Sequence, residues 1–291
     1  MAAGVAVAGV AAAELPALGA GYSYRRSYRA QTFANRDRIG MLEIVAEHFM
    51  HPSTRDELAL LADHFPIVPH GLGMSLGSAE GLDDAYVERF AAVVGGARAP
   101  WWSDHVAFTR AGGIDIGHLA PLPWTREALD VLERNVARAR SRIARVVGRD
   151  VPIVLENIAA PLRWPDAEMS EAAFLGELVA RTGCGLLLDV ENLHANALNF
   201  GEDPRDVLAA LPPDSVAQLH VAGGAYAGDT YVDSHAYPVN DAVWALVAEA
   251  CERFAIRAIV VERDDRLPPF ADLLGEIERA GALRAAQPAC R

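Results

Sequence analysis

Apolar and polar positions follow one another along this chain in a repeating block: a short apolar run, a polar cluster at its end, then a stretch with apolar residues at helical spacing. Eight such runs occur: "ALGAGYSY" near Gly19, "IGMLEIVAE" near Leu42, "FPIVPHGL" near Val68, "PWWSDHVAF" near Trp102, "VPIVLENI" near Val154, "CGLLLDVEN" near Leu187, "SVAQLHVAG" near Leu219 and "RAIVVERD" near Val260. Between them the pattern predicts amphipathic helices, among them 54–65, 83–96, 125–148, 170–183, 203–211 and 240–254. Several open on Thr, Ser, Asp or Asn, whose side chains accept from the free N–H groups of a first turn, and several close at Gly. Continuous apolar runs mark strands buried on both faces, and strands alternating with helices predict a parallel sheet. Eight strand–helix units in 291 residues predict an α/β fold, the TIM (β/α)8 barrel. An open doubly wound sheet is the alternative, but no GxGxxG follows the first run. No linker or short-period repeat divides the chain, so one domain is expected over 18–280, with a flexible N-terminal extension at 1–17 and a C-terminal tail at 281–291.

In such a barrel the chemistry collects where the strands end, because the eight following loops converge there. The polar residues of this chain fall at those ends. His70 follows the third run, Asp104 and His105 close the fourth, Glu156 and Asn157 the fifth, and Asp189, Asn192 and His194 the sixth. His220 lies late in the seventh run, Glu262 ends the eighth, and Asp233 and His235 share the loop after the seventh. In the segment "YVDSH" a spacing of two points Asp233 and His235 to the same side of an extended backbone. A lone polar residue at a strand end is usually a satisfied structural group. Six ends carrying acids and imidazoles are different, since so many buried carboxylates at one mouth would repel unless cations sat among them. Imidazole and carboxylate donors without thiolate suit iron, manganese or zinc, and the donors exceed what one ion takes, which implies two or three metals. No GxSxG elbow or P-loop is present, and "LGMSLGS" at 72–78 lacks the lysine of an anion loop.

Composition narrows the partners. The formal net charge of −13 argues against nucleic acid and against an anionic membrane surface, both of which need a basic face. Apolar residues make up 52% of the chain, enough for a sizeable core in a soluble globular protein. Cys184, Cys251 and Cys290 are widely spaced and form no CxxC pair, which fits a reducing, cytoplasmic setting and not a disulfide framework. The alanine-rich opening has no Lys or Arg before Arg25 and is broken by Glu14 and Pro16, so it reads as an extension, not as a secretory signal or a bilayer span.

The ordered series "VPHGLGMSLG", "WWSDHVAF", "VLENI", "LLDVENLHANALN", "LHVAGG", "YVDSH" and "VVERD" resembles the multinuclear non-haem iron-dependent oxidative enzymes, a family long catalogued only as a domain of unknown function. Its members include the iron enzyme of methanobactin biosynthesis. The likeness spans roughly 18–266, and a related ligand order occurs in the xylose-isomerase-like superfamily, including endonuclease IV with its trinuclear zinc site. Carried over by position, it implies that His70, His105 and Glu156 hold a first metal. Glu156 would bridge to a second held by Asp189, His220 and Glu262, and Asn192, Asp233 and His235 would hold a third. Asn192 stands where the zinc relatives have histidine, a stronger ligand, and His194 is a possible substitute. Relatives often read "HLAGH" after the seventh strand; here "HVAGG" places Gly224 at the second histidine.

The resemblance implies two or three iron ions in mixed ferrous and ferric states. The ferrous ion would activate dioxygen and a ferric neighbour would anchor the substrate, with oxidative rearrangement of a side chain, often cysteine, in a ribosomally made precursor peptide. A separate peptide-recognition protein is implied as a partner. Around the predicted mouth, Arg25 is a candidate clamp for a peptide carboxylate or a surface salt bridge. Asp104 is a candidate for orienting the neighbouring ligand His105, and Asn157 for touching substrate. Glu47 and His48 could back a ligand histidine or cap a helix, and Trp101 and Trp102 are expected in barrel packing. Two other reactions compete. A sugar isomerase or epimerase would commonly use lysine or glutamate acid–base groups, and the chain is poor in lysine; an endonuclease IV-like phosphodiesterase would need a basic stripe.

Overall fold

A computed structural model describes residues 12–287. Eight parallel strands close into a barrel in sequence order: Gly19–Ser23, Met41–Val45, Ile67–His70, Trp102–His105, Ile153–Glu156, Gly185–Asp189, Val216–Val221 and Ala258–Val261. The last pairs with the first, Gly19 opposite Ala258. Each of the eight apolar runs supplies one strand, because a strand covered by helices outside and side chains inside has no face left for water.

The helices sit where the polar punctuation placed them. Thr125, Ser170 and Asn240 accept from the backbone N–H three residues on, which starts the helices Arg126–Val147, Glu171–Thr182 and Asp241–Arg253. Gly148, Gly183 and Gly201 end theirs in the left-handed conformation that glycine adopts without strain. Two helices that the spacing did not reveal, Val190–Phe200 and Phe270–Ala285, complete the outer layer.

Both termini differ from the expectation. Residues 1–11 lie outside the described residues, but Ala12 and Leu15, expected in a loose extension, are buried with Met41, Val68, Trp101 and Val154 in the floor of the barrel. At the other end the final helix runs through position 281, where the tail was expected, because Ile277 and Ala280 face the core. Cys184 and Cys251 are buried and unpaired; Cys290 lies outside the described residues.

Two antiparallel hairpins rise over the strand ends. One, Ala107–Ala111 with Ile114–Pro121, follows the fourth strand, and the other, Ala225–Ala227 with Thr230–Val232, follows the seventh. Asn199 clamps the second one: its amide oxygen accepts from Tyr231 N at 2.9 Å and its Nδ2 donates to Tyr231 O at 2.8 Å. Beneath the hairpins lies a cavity of about 740 Å³.

Candidate metal centre

The barrel interior is layered. Above the apolar floor, Trp101 Nε1 donates to Gln218 Oε1 at 2.8 Å, and Gln218 Nε2 donates to Glu43 Oε2 at 2.6 Å. Trp102 points outward instead, packing edge-on to Phe90. One turn of the pleat higher come the predicted ligands, brought level by strand register: His105 lies opposite Glu156, and Asp189 opposite His220.

Glu156 is the hinge between two donor groups. Its Oε2 lies 3.4 Å from His70 Nε2 and 3.3 Å from His105 Nε2, while its Oε1 lies 3.1 Å from His220 Nδ1. The same nitrogen of His220 is 3.1 Å from Glu262 Oε2. Donor atoms of His70, His105 and Glu156 fall within 4.8 Å of one another, as do those of Glu156, Asp189, His220 and Glu262. Two of the three ligand groups expected from the resemblance are therefore assembled residue for residue.

The third group is partly redrawn. His235 Nε2 stands 2.9 Å from Asp233 Oδ1 and 3.7 Å from Asp189 Oδ2, so Asp233 and His235 do meet, as their spacing predicted. The other ring nitrogen lies 3.2 Å from Glu262 Oε2 and 3.0 Å from Asp264 Oδ2. Asp264, the last residue of "VVERD", was missed because two consecutive polar residues after a strand do not show which one turns inward. Asn192 lines the same cavity; its Nδ2 donates to Asn157 O at 2.9 Å, leaving its Oδ1 free. His235 itself has φ +50°, a left-handed backbone uncommon outside glycine, so the loop is bent to aim the ring.

Several other expected roles change. Arg25 is fully engaged: Nε donates to Arg263 O at 3.0 Å, Nη1 to Ser23 Oγ at 2.9 Å, and Nη2 pairs with Asp264. It lines the cavity but holds the rim together instead of offering a free fork to a carboxylate. Asn157 does not face the cavity; its amide donates to Asp189 O at 3.1 Å and accepts from Asp189 N at 2.8 Å, a bracket that fixes the sixth strand's end. Asp104 accepts from its neighbour's backbone, His105 N at 2.7 Å, and its Oδ2 lies beside Gly71, outside the ring of ligands. Glu47 binds Leu72 N, Gly73 N and Tyr86 Oη, shaping the loop after the third strand. His194 packs against the Tyr231 ring and does not replace Asn192.

Sequence reasoning also missed Glu43, which is fully buried with Oε2 2.9 Å from His220 Nε2. The signal was present, a carboxylate inside the apolar run "IGMLEIVAE". Ser103 plays the matching part for His70, its Oγ 2.8 Å from Nδ1. These contacts orient each ring with its other nitrogen toward the cluster.

The protonation of the centre shows what it lacks. Burial pushes Glu156 up to about 8, and Asp189, buried beside Asp233, up to about 7. Burial lowers His105 to about 4 and His70 well below its ordinary value, which leaves neutral imidazoles. For His220 and His235 burial also works against the charge, but Glu262 with Glu43 acting on the first, and Asp233 with Glu262 on the second, raise them well above the usual range. Protons thus stand in for missing positive charge. Glu156 Oε2, Asp189 Oδ2 and Asn192 Oδ1 are buried with no hydrogen-bond partner among the described residues. Orphaned oxygens of this kind, converging beside imidazoles, fit bound metal ions.

Residues 19–285 match the family described as RiPP precursor modification enzyme MbnB/TglH/ChrH. A UPF0276 protein of Caulobacter vibrioides is 38% identical over 261 residues, covering 89% of this chain and 91% of that one. A UPF0276 protein of Anaeromyxobacter sp. is 36% identical, covering 92% and 94%. Among solved structures, a D-psicose 3-epimerase crystallised with D-fructose overlays with a TM-score of 0.56 at 12% identity, covering 91% of this chain and 96% of that one. A xylose isomerase domain protein from Planctomyces limnophilus gives 0.54 at 16%, covering 86% and 90%. At such identities the likeness is one of fold alone, the closed eight-stranded parallel barrel.

Proposed function

The chain belongs to the MbnB/TglH/ChrH family of RiPP precursor modification enzymes, and from that premise we propose that it oxidatively modifies a side chain of a ribosomally made peptide with two or three iron ions, ferrous and ferric. The observation that carries the reading is the divided carboxylate of Glu156, one oxygen turned to each of two donor groups. Bound there, the ions would supply open coordination positions for dioxygen and for a substrate atom.

His70, His105 and Glu156 would hold the first ion, and Glu156, Asp189, His220 and Glu262 the second. Asn192, Asp233 and His235 would hold the third, with Asp264 within reach of the other ring nitrogen of His235. Glu43 would hold a proton on His220 Nε2 and so leave Nδ1 for the cluster. The two hairpins wall the cavity from bulk water, and its polar floor and apolar sides, Leu72, Leu119 and Ile158 among them, suit a peptide segment. A separate peptide-recognition protein belongs to the same reading; Ile114 and Ile116, exposed on the first hairpin, offer it apolar surface. So does a cytoplasmic site of action; no described helix is long and apolar enough to cross a membrane.

The test is metal analysis of protein purified without air, followed by incubation with a candidate precursor peptide and oxygen. Two or more iron per chain and an oxygen-dependent mass change in the peptide are expected. Stoichiometric zinc with no iron-dependent change, or manganese with sugar epimerisation, would overturn the proposal.

A further inference from the structure

A second cavity, of about 210 Å³, lies against the first. Ile158 and Ala160 line both, so the segment after the fifth strand is the partition between them. The alternation at that strand end explains the layout: Glu156 faces the main cavity and Asn157 the side pocket. The pocket walls are mostly apolar, with Leu122, Trp124, Phe174 and Leu175 among them.

Its charges do not balance. Arg163 lies between the rings of Trp124 and Phe200, 4.5 and 4.4 Å from their centroids, and pairs with Glu202 at 2.8 Å. Glu171 is more than nine-tenths buried, stands 3.8 Å from Arg163, and has a buried Oε2 with no hydrogen-bond partner. As the first residue of the helix Glu171–Thr182 it gains from the helix dipole, but an exposed acid would gain the same without the desolvation cost. Burial, opposed by Arg163, brings its carboxyl up to about 7, as expected of an acid lacking a partner. One cation faces two carboxylates, and among the described residues Glu171 Oε2 is left without a hydrogen bond, as is Arg163 Nε.

We propose that this side pocket receives a primary-amine side chain of the substrate peptide, a lysine or equivalent alkylamine, with the alkyl stem along the apolar walls and the ammonium on Glu171. An ammonium supplies a unit charge and three donors, and a four-carbon stem suits the apolar walls. That the amine belongs to the peptide rests on the peptide-modifying reading. The shared partition would let a residue held over the metal ligands place a neighbouring side chain in the pocket.

The test is binding of n-hexylamine to the full-length protein, followed through the indole N–H signals of Trp124 and Trp164, assigned with Trp124→Phe and Trp164→Phe. The expected result is a shift of these signals, affinity at least about tenfold above that for hexan-1-ol, and loss of that preference in Glu171→Gln. No shift, equal affinity for the alcohol, or an unchanged preference in Glu171→Gln overturns the inference. The alcohol comparison is made on the unaltered chain, so it holds even if the variant folds poorly. Because the readout needs neither turnover nor iron, it fails or succeeds independently of the metal analysis that tests the proposed reaction.

Discussion

Glu43 and His220 are both fully buried, and Glu43 Oε2 lies 2.9 Å from His220 Nε2, on the side of the ring away from Glu156 and Glu262. A carboxylate behind a ligand imidazole fixes its tautomer and raises its basicity. Replacing it by alanine should therefore weaken metal binding at the second group by about 10–100-fold, while Glu43→Gln should cost less because the amide can still accept. Chelator competition read by metal analysis measures this. Unchanged affinity in Glu43→Ala would show that His220 is held by packing alone.

Glu156 and Asp233 should give different stoichiometries. Glu156→Ala removes an oxygen from each of two donor groups and should abolish retention of two ions, whereas Asp233→Ala touches only the His235 group and should lose one. Metal content per chain distinguishes them. Equal losses in the two variants would contradict a bridging Glu156.

Metal uptake should depend steeply on pH. In the metal-free protein Glu156 is raised to about 8 and Asp189 to about 7, so below those values each holds a proton that an ion must expel. Affinity should fall as pH drops from 8 to 6, by up to about tenfold per unit for each proton released. The same raised values mean that Glu156 and Asp189 hold protons in the metal-free fold that the unfolded chain releases. The stability these two groups contribute is full below the unfolded carboxylate range and lost as pH rises to 7 and 8, while the neutral His70 and His105 cost stability below the ordinary imidazole range, so the metal-free fold should be most stable between those limits. Calorimetry in buffers of different ionisation enthalpy counts the protons, and melting with and without metal tests the stability trend.

His235 is held at φ +50° and should be replaceable without loss of the fold. His235→Gly removes a ring bounded by Asp189, Asp233, Glu262 and Asp264 and relaxes the backbone. In the metal-free variant the relaxed backbone is offset by the positive charge that the carboxylates lose, so the melting temperature should change little while one metal equivalent is lost. A large drop in melting temperature would mean that the ring is a structural strut.

Gly224 admits no side chain. A Cβ there would come within 2.8 Å of Glu191 Oε1 and Tyr231 Cε1 and closer still to Val232 O. Gly224→Ala should destabilise the second hairpin by about 1–3 kcal/mol, as overpacking does. Denaturant melts and protease sensitivity at 225–232 measure it. The hairpin's own packing therefore leaves no room at Gly224 for the histidine that the resemblance led one to expect there.

Much of the protein was legible in the sequence because its signals are local. Apolar runs of strand length, cap residues such as Thr125 and Ser170, and closing glycines such as Gly148 need only neighbouring residues to act, and they placed all eight barrel strands. The candidate ligands could be placed at one rim for the same reason, since a barrel delivers strand ends there whatever the loops do. What tertiary structure alone decided is how side chains from distant strands share their atoms. Asn157 turned out to bracket Asp189, Arg25 to pair with Asp264, and Glu43 to reach His220 across 177 positions of chain. Hydrogen-bond capacity is claimed by whichever group lies nearest in space, and no periodicity along the chain encodes that distance. The roof over the cavity and the vacant carboxyl of Glu171 belong to the same category, because each exists only once the strands and helices have met.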